Sequence, residues 1–322
     1  MKKKILIIGG DPNSINSEII FKSWKKINLS IKKKIYLITN YNLIRDQLKK
    51  LKFSIKLQKV KSLDEVFKNE YLKIIDLPAI YKDPFNVSKR ESSKLVTNSL
   101  DLAHKLCVKH KNIAGIINCP IDKSLFKKSK IGVTEYLAFK CGLKNNSEVM
   151  LIKNKKLSVA PITTHINLNQ VSKRITKKTI IKKVNTINNW FIAKLKYKPK
   201  ICILGLNPHN AEFRSNSEEK KEILPAIKKL KKNKILISGP LPADTVFIEQ
   251  YKKFDVVVGM YHDQILPSFK TLFKFDAINV TLGLKYLRVS PDHGVAKQLI
   301  KKNKANPLSL INCIKFINKF GL

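Results

Sequence analysis

Residues 255–270 read DVVVGMYHDQILPSFK, and the fold is decided where this stretch changes character. Three consecutive valines make a short apolar run of the kind that lies inside a parallel sheet, covered on both faces. Tyr261, His262, Asp263 and Gln264 follow at once, so side chains that ligate, titrate or hydrogen-bond stand where a strand should end. In open α/β proteins ligands gather at the carboxyl ends of strands. The stretch therefore reads as strand, site, helix. The plainer alternative is a helix start, with Asp263 as N-cap and His262 as a solvated loop residue.

Working outward, the same unit recurs. Short apolar runs at 5–8, 35–39, 72–75, 113–118, 157–162, 201–204, 235–237 and 278–282 predict strands. Helical periodicity at 17–24, 42–51, 89–108, 178–194 and 218–232 predicts the helices between them. This alternation implies an α/β fold with a doubly wound, largely parallel sheet. Asp244, in SGPLPADT, is expected to cap the helix before residue 255. Residues 292–307, DHGVAKQLIKKNKANP, read as a loop entering a helix closed by Asn306-Pro307. The loop after the first strand, GGDPNSINSE, is not GxGxxG, and no such fingerprint occurs elsewhere. A nicotinamide cofactor would need another device.

His165, His209 and His262 each follow an apolar strand, whereas His104 and His110 fall on the long helix and His293 lies in Asp292-His293-Gly294. Imidazole is the common ligand of Zn, Co, Ni and Fe, and three ligands with an open position make a catalytic site. Such a metal would polarise a substrate hydroxyl. The competing reading is three unrelated loop histidines, which spacing alone does not exclude. Other charges sit at strand ends. Lys123, in CPIDK, could hold a phosphate or carboxylate, although in so lysine-rich a chain a solvated charge is the commoner role. Thr134 opens a helix whose N-terminal amides could meet an anion. Lys270, Asn279 and Arg288 lie around the strand 278–282, and the fork of Arg288 suits a phosphate.

Composition bounds the alternatives. The 322 residues suffice for two domains sharing a cleft or one large α/β unit. Lys and Arg total 64 against 23 acids, a formal charge of +41. The lysines are spread over nearly every predicted helix surface, whereas a nucleic-acid protein would cluster its basic residues on one face. The pattern argues against a specific nucleic-acid partner. No apolar run approaches the ~20 residues of a membrane span. Five scattered cysteines without a CxxC pair suit a reducing cytosol, and a cytoplasmic location is expected.

Taken together, GDPNSINSEI, INCPIDKSLF, GVTEYLA, ITTHINL, GLNPHNAE, GPLPADTVF, MYHDQILPSFK and INVTLGLKYLRVSPDHGVA resemble the 4-hydroxythreonine-4-phosphate dehydrogenase family of pyridoxal phosphate biosynthesis. The segments run in family order from Gly10 to Ala296. The resemblance implies two α/β/α domains around a cleft, of the isocitrate/isopropylmalate dehydrogenase type, in a homodimer. It puts the first domain at 1–125 plus 260–322 and the second, on the metal and dimer side, at 126–259. One divalent metal ion per site (Zn, Mg or Co) would fall on His165, His209 and His262. Substrate contacts would fall on Thr134, Lys270, Asn279 and Arg288, with Asp244 near the site. NAD or NADP would meet Asp292, His293, Gly294 and Asn306. The implied reaction oxidises a phosphorylated amino acid's secondary hydroxyl, after which the β-keto acid decarboxylates to 3-amino-2-oxopropyl phosphate.

The chain departs from that pattern at three places. Val133 stands where the family has His. Ser14, Asn16 and Ser17 replace Gly, Gly and Pro, and Phe213-Arg214-Ser215-Asn216 replaces a glycine-rich run. A sister dehydrogenase acting on another 4-phospho hydroxy acid, such as threonate 4-phosphate, is the nearest alternative.

Overall fold

The computed structural model describes residues 3–65, 70–126, 132–143 and 148–321. The chain begins β1 (Lys4–Ile8), α1 (Asn16–Lys26), α2 (Leu29–Lys32), β2 (Ile35–Thr39) and α3 (Tyr41–Lys50). It continues β3 (Leu57–Val60), β4 (Leu72–Asp76), α4 (Lys89–Lys109), β5 (Ile113–Asn118) and α5 (Val133–Lys140). Next come β6 (Val149–Lys153), β7 (Ser158–Thr163), α6 (Val171–Arg174), α7 (Lys177–Trp190), β8 (Ile201–Leu204) and α8 (Leu224–Lys232). Then follow β9 (Ile237–Leu241), α9 (Ala243–Val246), β10 (Val256–Tyr261), α10 (His262–Phe273), β11 (Ile278–Leu282), β12 (Arg288–Pro291) and α11 (Leu308–Phe320).

Two compact units result. The first comprises Met1–Gly142 and Leu284–Leu322, the second Leu143–Gly283. The borders fall after residues 142 and 283 rather than after 125 and 259. The reason is strand pairing: β10 lies between β7 and β8, and β11 lies on β6, so residues 260–283 belong with the second unit.

In the first unit the strand order is β3-β4-β2-β1-β5-β12, with parallel neighbours throughout. Alternation along β1 explains the layering. Leu6 and Ile8 pack with Val96, Leu100 and Ala103 of α4, while Ile5 and Ile7 turn to the other face, where α11 meets β1 and β5. Helix starts are set by short polar side chains that satisfy orphan amides. Asn40 accepts from the Leu43 amide at 2.8 Å, and Ser88 from the Glu91 amide at 3.3 Å.

In the second unit the order is β11-β6-β7-β10-β8-β9. The run β7-β10-β8-β9 is parallel, but β6 is antiparallel to both β7 and β11. β6, the apolar run 149–152 with Lys153, is not among the expected strands. A tight turn makes it, because Asn154 Oδ1 takes the amides of both Lys156 and Leu157 at 2.8 Å and folds the chain back as a hairpin.

Two local expectations are corrected. Residues 292–307 form no helix closed by Asn306-Pro307. They are a loop with one short turn, and Pro307 is instead the N-cap of α11. Asp244 does not cap α9, because Pro242 holds that position and Asp244 lies in the first turn.

Gly115 marks a close approach between β5 and β12: a Cβ there would stand 2.4 Å from the Leu287 carbonyl oxygen. Gly115→Ala should destabilise the protein by about 1–3 kcal/mol through overpacking. A lower urea midpoint measures this, and an unchanged midpoint would show that the strands part freely.

Candidate functional site

The three histidines sit at one edge of the second unit. β7, β10 and β8 are consecutive parallel neighbours, so their carboxyl ends share an edge. His165 comes just after β7, His262 opens α10 directly after β10, and His209 follows β8. The His165 and His262 rings lie 5.8 Å apart between centroids, tilted by 44°. His262 Nδ1 lies 2.5 Å from Asp263 Oδ1, a contact that orients the ring and leaves Nε2 on its far side. A cavity of about 370 Å³ opens here, lined among others by Thr163, Thr164, His165, Tyr261, His262 and Asp263.

Buried polar contacts hold this edge. Gln264 accepts from the Met260 amide and donates to the Gly205 carbonyl, each at 2.7 Å, so one side chain ties the end of β10 to the end of β8. Thr163 Oγ1 donates to the Met260 carbonyl at 2.8 Å and ties β7 to β10. Gly259 is required by proximity, since a Cβ there would meet Ile265 Cγ2 at 2.5 Å as α10 folds back over β10. Beyond β8, the buried Glu219 accepts the amides of Leu206 and Asn207 at 2.8 Å and braces the loop before His209.

His209 itself is not drawn in with the other two. Among the described residues no group of three His, Cys, Asp or Glu is placed to hold a metal ion. His209, Asn210, Ala211, Glu212 and Phe213 all have φ between 46° and 56°, the left-handed region that glycine adopts readily. Each such L residue costs roughly 1–2 kcal/mol. The site thus presents two neighbouring imidazoles, one held by a carboxylate.

The other expected residues of this unit are placed as follows. Lys270 is exposed on α10 and Asp244 is exposed on α9. Asn279 lies on β11, and its Oδ1 is buried without a hydrogen-bond partner, a polar atom ready for a donor.

In the first unit Arg288 is 3% exposed on β12. Its Nε donates to Asn118 Oδ1 at 2.7 Å and its Nη1 to Thr134 Oγ1 at 3.2 Å. Burial pushes its pKa down to about 10, so it remains a cation at neutral pH. Lys123 is exposed, and the organised charges beside it are Asp122 and Lys297, paired at 2.8 Å. Hydrogen bonds from Lys297 and the Ser124 amide hold the Asp122 carboxyl at about 2. Burial raises the Asp11 carboxyl nearby.

The loop 292–307 is pinned from below. Lys22 donates to the carbonyls of Asn303 and Ala305 at 3.0 and 3.1 Å, and Glu18 accepts the Ala305 amide at 2.8 Å. Asn306 Oδ1 is occupied by the Leu308 amide at 2.9 Å, which makes it a turn residue first. The Asp292 amide donates to Ser309 Oγ at 2.9 Å, and His293 Nδ1 lies 3.0 Å from the Gly294 carbonyl. Gly294 has open space where a Cβ would be, so the loop is approachable there. Asn118, Lys297 and Glu219 escaped the sequence reading, as did the pairing of Asp122 within CPIDK, because nothing in their local spacing marks the partners they meet across the fold.

Gln264→Leu leaves a buried amide and a buried carbonyl without their partner. Each unsatisfied group costs about 1–3 kcal/mol, so a clear drop in the unfolding midpoint should be measured. A second outcome concerns acid. The depressed Asp122 pKa means its contribution is present above pH 3.8 and is lost as pH falls through about 2. Lys297→Ala should return the Asp122 titration, followed by carboxyl-carbon NMR, upward toward 3.8.

Comparison with known proteins agrees along nearly the whole length. The pattern of the family described as Pyridoxal phosphate biosynthetic protein PdxA matches residues 31–317. The chain is 40% identical over 323 residues to a 4-hydroxythreonine-4-phosphate dehydrogenase of Sulfurihydrogenibium sp. (strain YO3AOP1), covering 97% of this chain and 96% of that one. It is 37% identical to a protein of the same description from Aquifex aeolicus (strain VF5), with 98% of each chain covered. The solved 4-hydroxythreonine-4-phosphate dehydrogenase from Klebsiella pneumoniae superposes with a TM-score of 0.83 at 26% identity over 100% of both chains. With the strand-end histidines and the buried arginine in place, this breadth of agreement makes the chain a member of the PdxA family of pyridoxal phosphate biosynthetic proteins.

Proposed function

We propose that the protein is a 4-hydroxythreonine-4-phosphate dehydrogenase. It oxidises 4-phosphohydroxy-L-threonine with NAD(P)+, and the 3-oxo acid formed loses carbon dioxide to give 3-amino-2-oxopropyl phosphate. The observation that carries this reading is the placement of His165, His209 and His262 at the ends of three adjacent parallel strands, in a chain of this family. His165 and His262 would hold a divalent ion, with His209 as the third donor once its loop moves from the left-handed conformation. The ion, when bound, supplies Lewis-acid stabilisation of negative charge on the substrate's hydroxyl oxygen.

The chain's own residues have distinct tasks. Asp263 keeps the His262 ring in one orientation. Arg288, cationic and shielded from water, recognises an anionic group of the substrate, and Thr134 steadies its fork. In the second unit Lys270 supplies a further donor and Asn279 Oδ1 an acceptor, and Asp244 is assigned to the same site. NAD(P) is assigned to the loop that carries Asp292, His293 and Gly294, pinned by Glu18 and Lys22. We also assign a homodimer as the working state, which size-exclusion chromatography with light scattering would test.

One observation supports a second reading. Val133 is partly buried against the apolar cluster around Leu137, so the family's imidazole is replaced there by a packed methyl surface. A related 4-phospho hydroxy acid is the substrate in that case.

The deciding assay is NADH formation from 4-phosphohydroxy-L-threonine, with and without chelator and with metal restored. Turnover that the chelator stops and metal restores is the expected result, and His209→Ala should lower it by two orders of magnitude or more, on the order of 10²–10³-fold. Absent turnover with this substrate but rapid turnover of threonate 4-phosphate would establish the second reading.

A further inference from the structure

Between the end of β12 at Pro291 and the start of α11 at Leu308 the chain makes one short turn, at Lys297–Leu299, and otherwise runs as a loop. Ala296, Lys301 and Asn303 in this loop have φ of 44°, 65° and 54°. L residues keep that left-handed conformation only where their surroundings impose it. Both halves of the loop are tied to one helix, α1, which also packs against α11. The Ile15 amide, at the N-cap of α1, donates to the Val295 carbonyl at 3.3 Å. Further along α1, Glu18 accepts the Ala305 amide at 2.8 Å, and Lys22 donates to the Asn303 and Ala305 carbonyls at 3.0 and 3.1 Å. Ala305, itself buried, is therefore gripped through its N–H and its C=O at once.

The two side chains also hold each other. Lys22 Nζ lies 2.7 Å from Glu18 Oε1, one helical turn away, and the Glu18 side chain is 1% exposed. An ammonium has three donors. Lys22 spends them on Glu18 and on the two loop carbonyls, so its hydrogen-bonding capacity is taken up inside the protein.

We propose that Glu18 and Lys22 are a positioning pair, which shapes the loop 292–307 before a dinucleotide arrives and so sets the affinity for NAD(P) without touching it. The proposal rests on the assignment of NAD(P) to this loop. A loop already held in its binding shape spares the complex the entropy of ordering it. With its donors engaged, Lys22 acts through the backbone it holds, unlike Lys302 and Lys304, which are exposed on the loop itself.

Lys22→Met and Lys22→Arg separate positioning from simple charge. Arg keeps the cation, but its planar fork does not converge on three acceptors as an ammonium does. Purified ligand-free protein is titrated with NAD+ and with NADP+ by calorimetry, and amide exchange is followed across 292–307. In both variants the amides of 303–306 should exchange faster without ligand, and Kd for the preferred dinucleotide should rise about tenfold or more. KM for 4-phosphohydroxy-L-threonine at saturating cofactor should stay within about twofold of the parent's. Unchanged exchange or a parental Kd in Lys22→Met overturns the proposal, as does a substrate KM that rises as far as Kd. A parental Kd in Lys22→Arg overturns it too, because charge alone would then suffice. If bound dinucleotide protects amides of 292–307 in the parent, and the variants bind as tightly, the proposal falls and the loop assignment stands. Protection elsewhere and none in 292–307 overturns the loop assignment and the proposal with it. A parent that binds neither dinucleotide overturns the dehydrogenase reading as well.

Discussion

Parallel pairing of β7, β10 and β8 is the constraint on which the candidate site depends. Strands that run the same way finish on the same edge, so residues far apart in sequence are delivered to one neighbourhood without any local signal linking them. His165 and His262 are 97 positions apart in number and have rings 5.8 Å apart. Their closeness follows from register: Gly259 lies opposite Pro161 and Tyr261 opposite Thr163. A slip of one residue would shift the two strand ends, and the histidines just beyond them, along the edge relative to one another.

An edge built this way exposes backbone groups that have finished pairing, and the chain meets them with buried and half-buried side chains. Gln264 and Thr163 join the strand ends, Glu219 takes two successive loop amides, and Gly259 and Gly205 leave room for the chain to fold back. Satisfying these groups is what makes a rigid platform of a loop cluster. The stretch after His209 is the exception. Five consecutive residues there occupy the left-handed region, and among the described residues the three histidines do not come together as a group placed to hold a metal ion. Strain and incomplete assembly coincide at the same loop, which is the expected place for a segment that rearranges when a ligand arrives.

In the first unit the organising charge is Arg288. Burial strips it of water, and Asn118 and Thr134 are among the groups that set its direction. The abundant surface lysines contribute little of this kind. Lys123 illustrates the difference: it stands in a suggestive motif and is exposed, whereas its neighbour Asp122 is engaged with Lys297. In a chain with 64 basic residues, position in the fold rather than charge type separates a site residue from a solvated one.

The sequence by itself determined the alternation of short apolar runs and amphipathic helices, hence an α/β fold, because periodicity and burial are local properties of the chain. It also placed each of His165, His209 and His262 after a strand, since a strand's end is visible where apolar residues give way to polar ones. The motif segments carried the family. Tertiary structure alone decided the rest. The antiparallel β6 depends on an Asn154 turn, the unit borders on which strands pair, and the loop at 292–307 on anchors at Glu18 and Lys22 far upstream. The partnership of Asn118 with Arg288 spans 170 positions and leaves no mark in either residue's surroundings. Long-range hydrogen bonds of this kind are set by how strands are ordered in the sheet, which local periodicity does not encode.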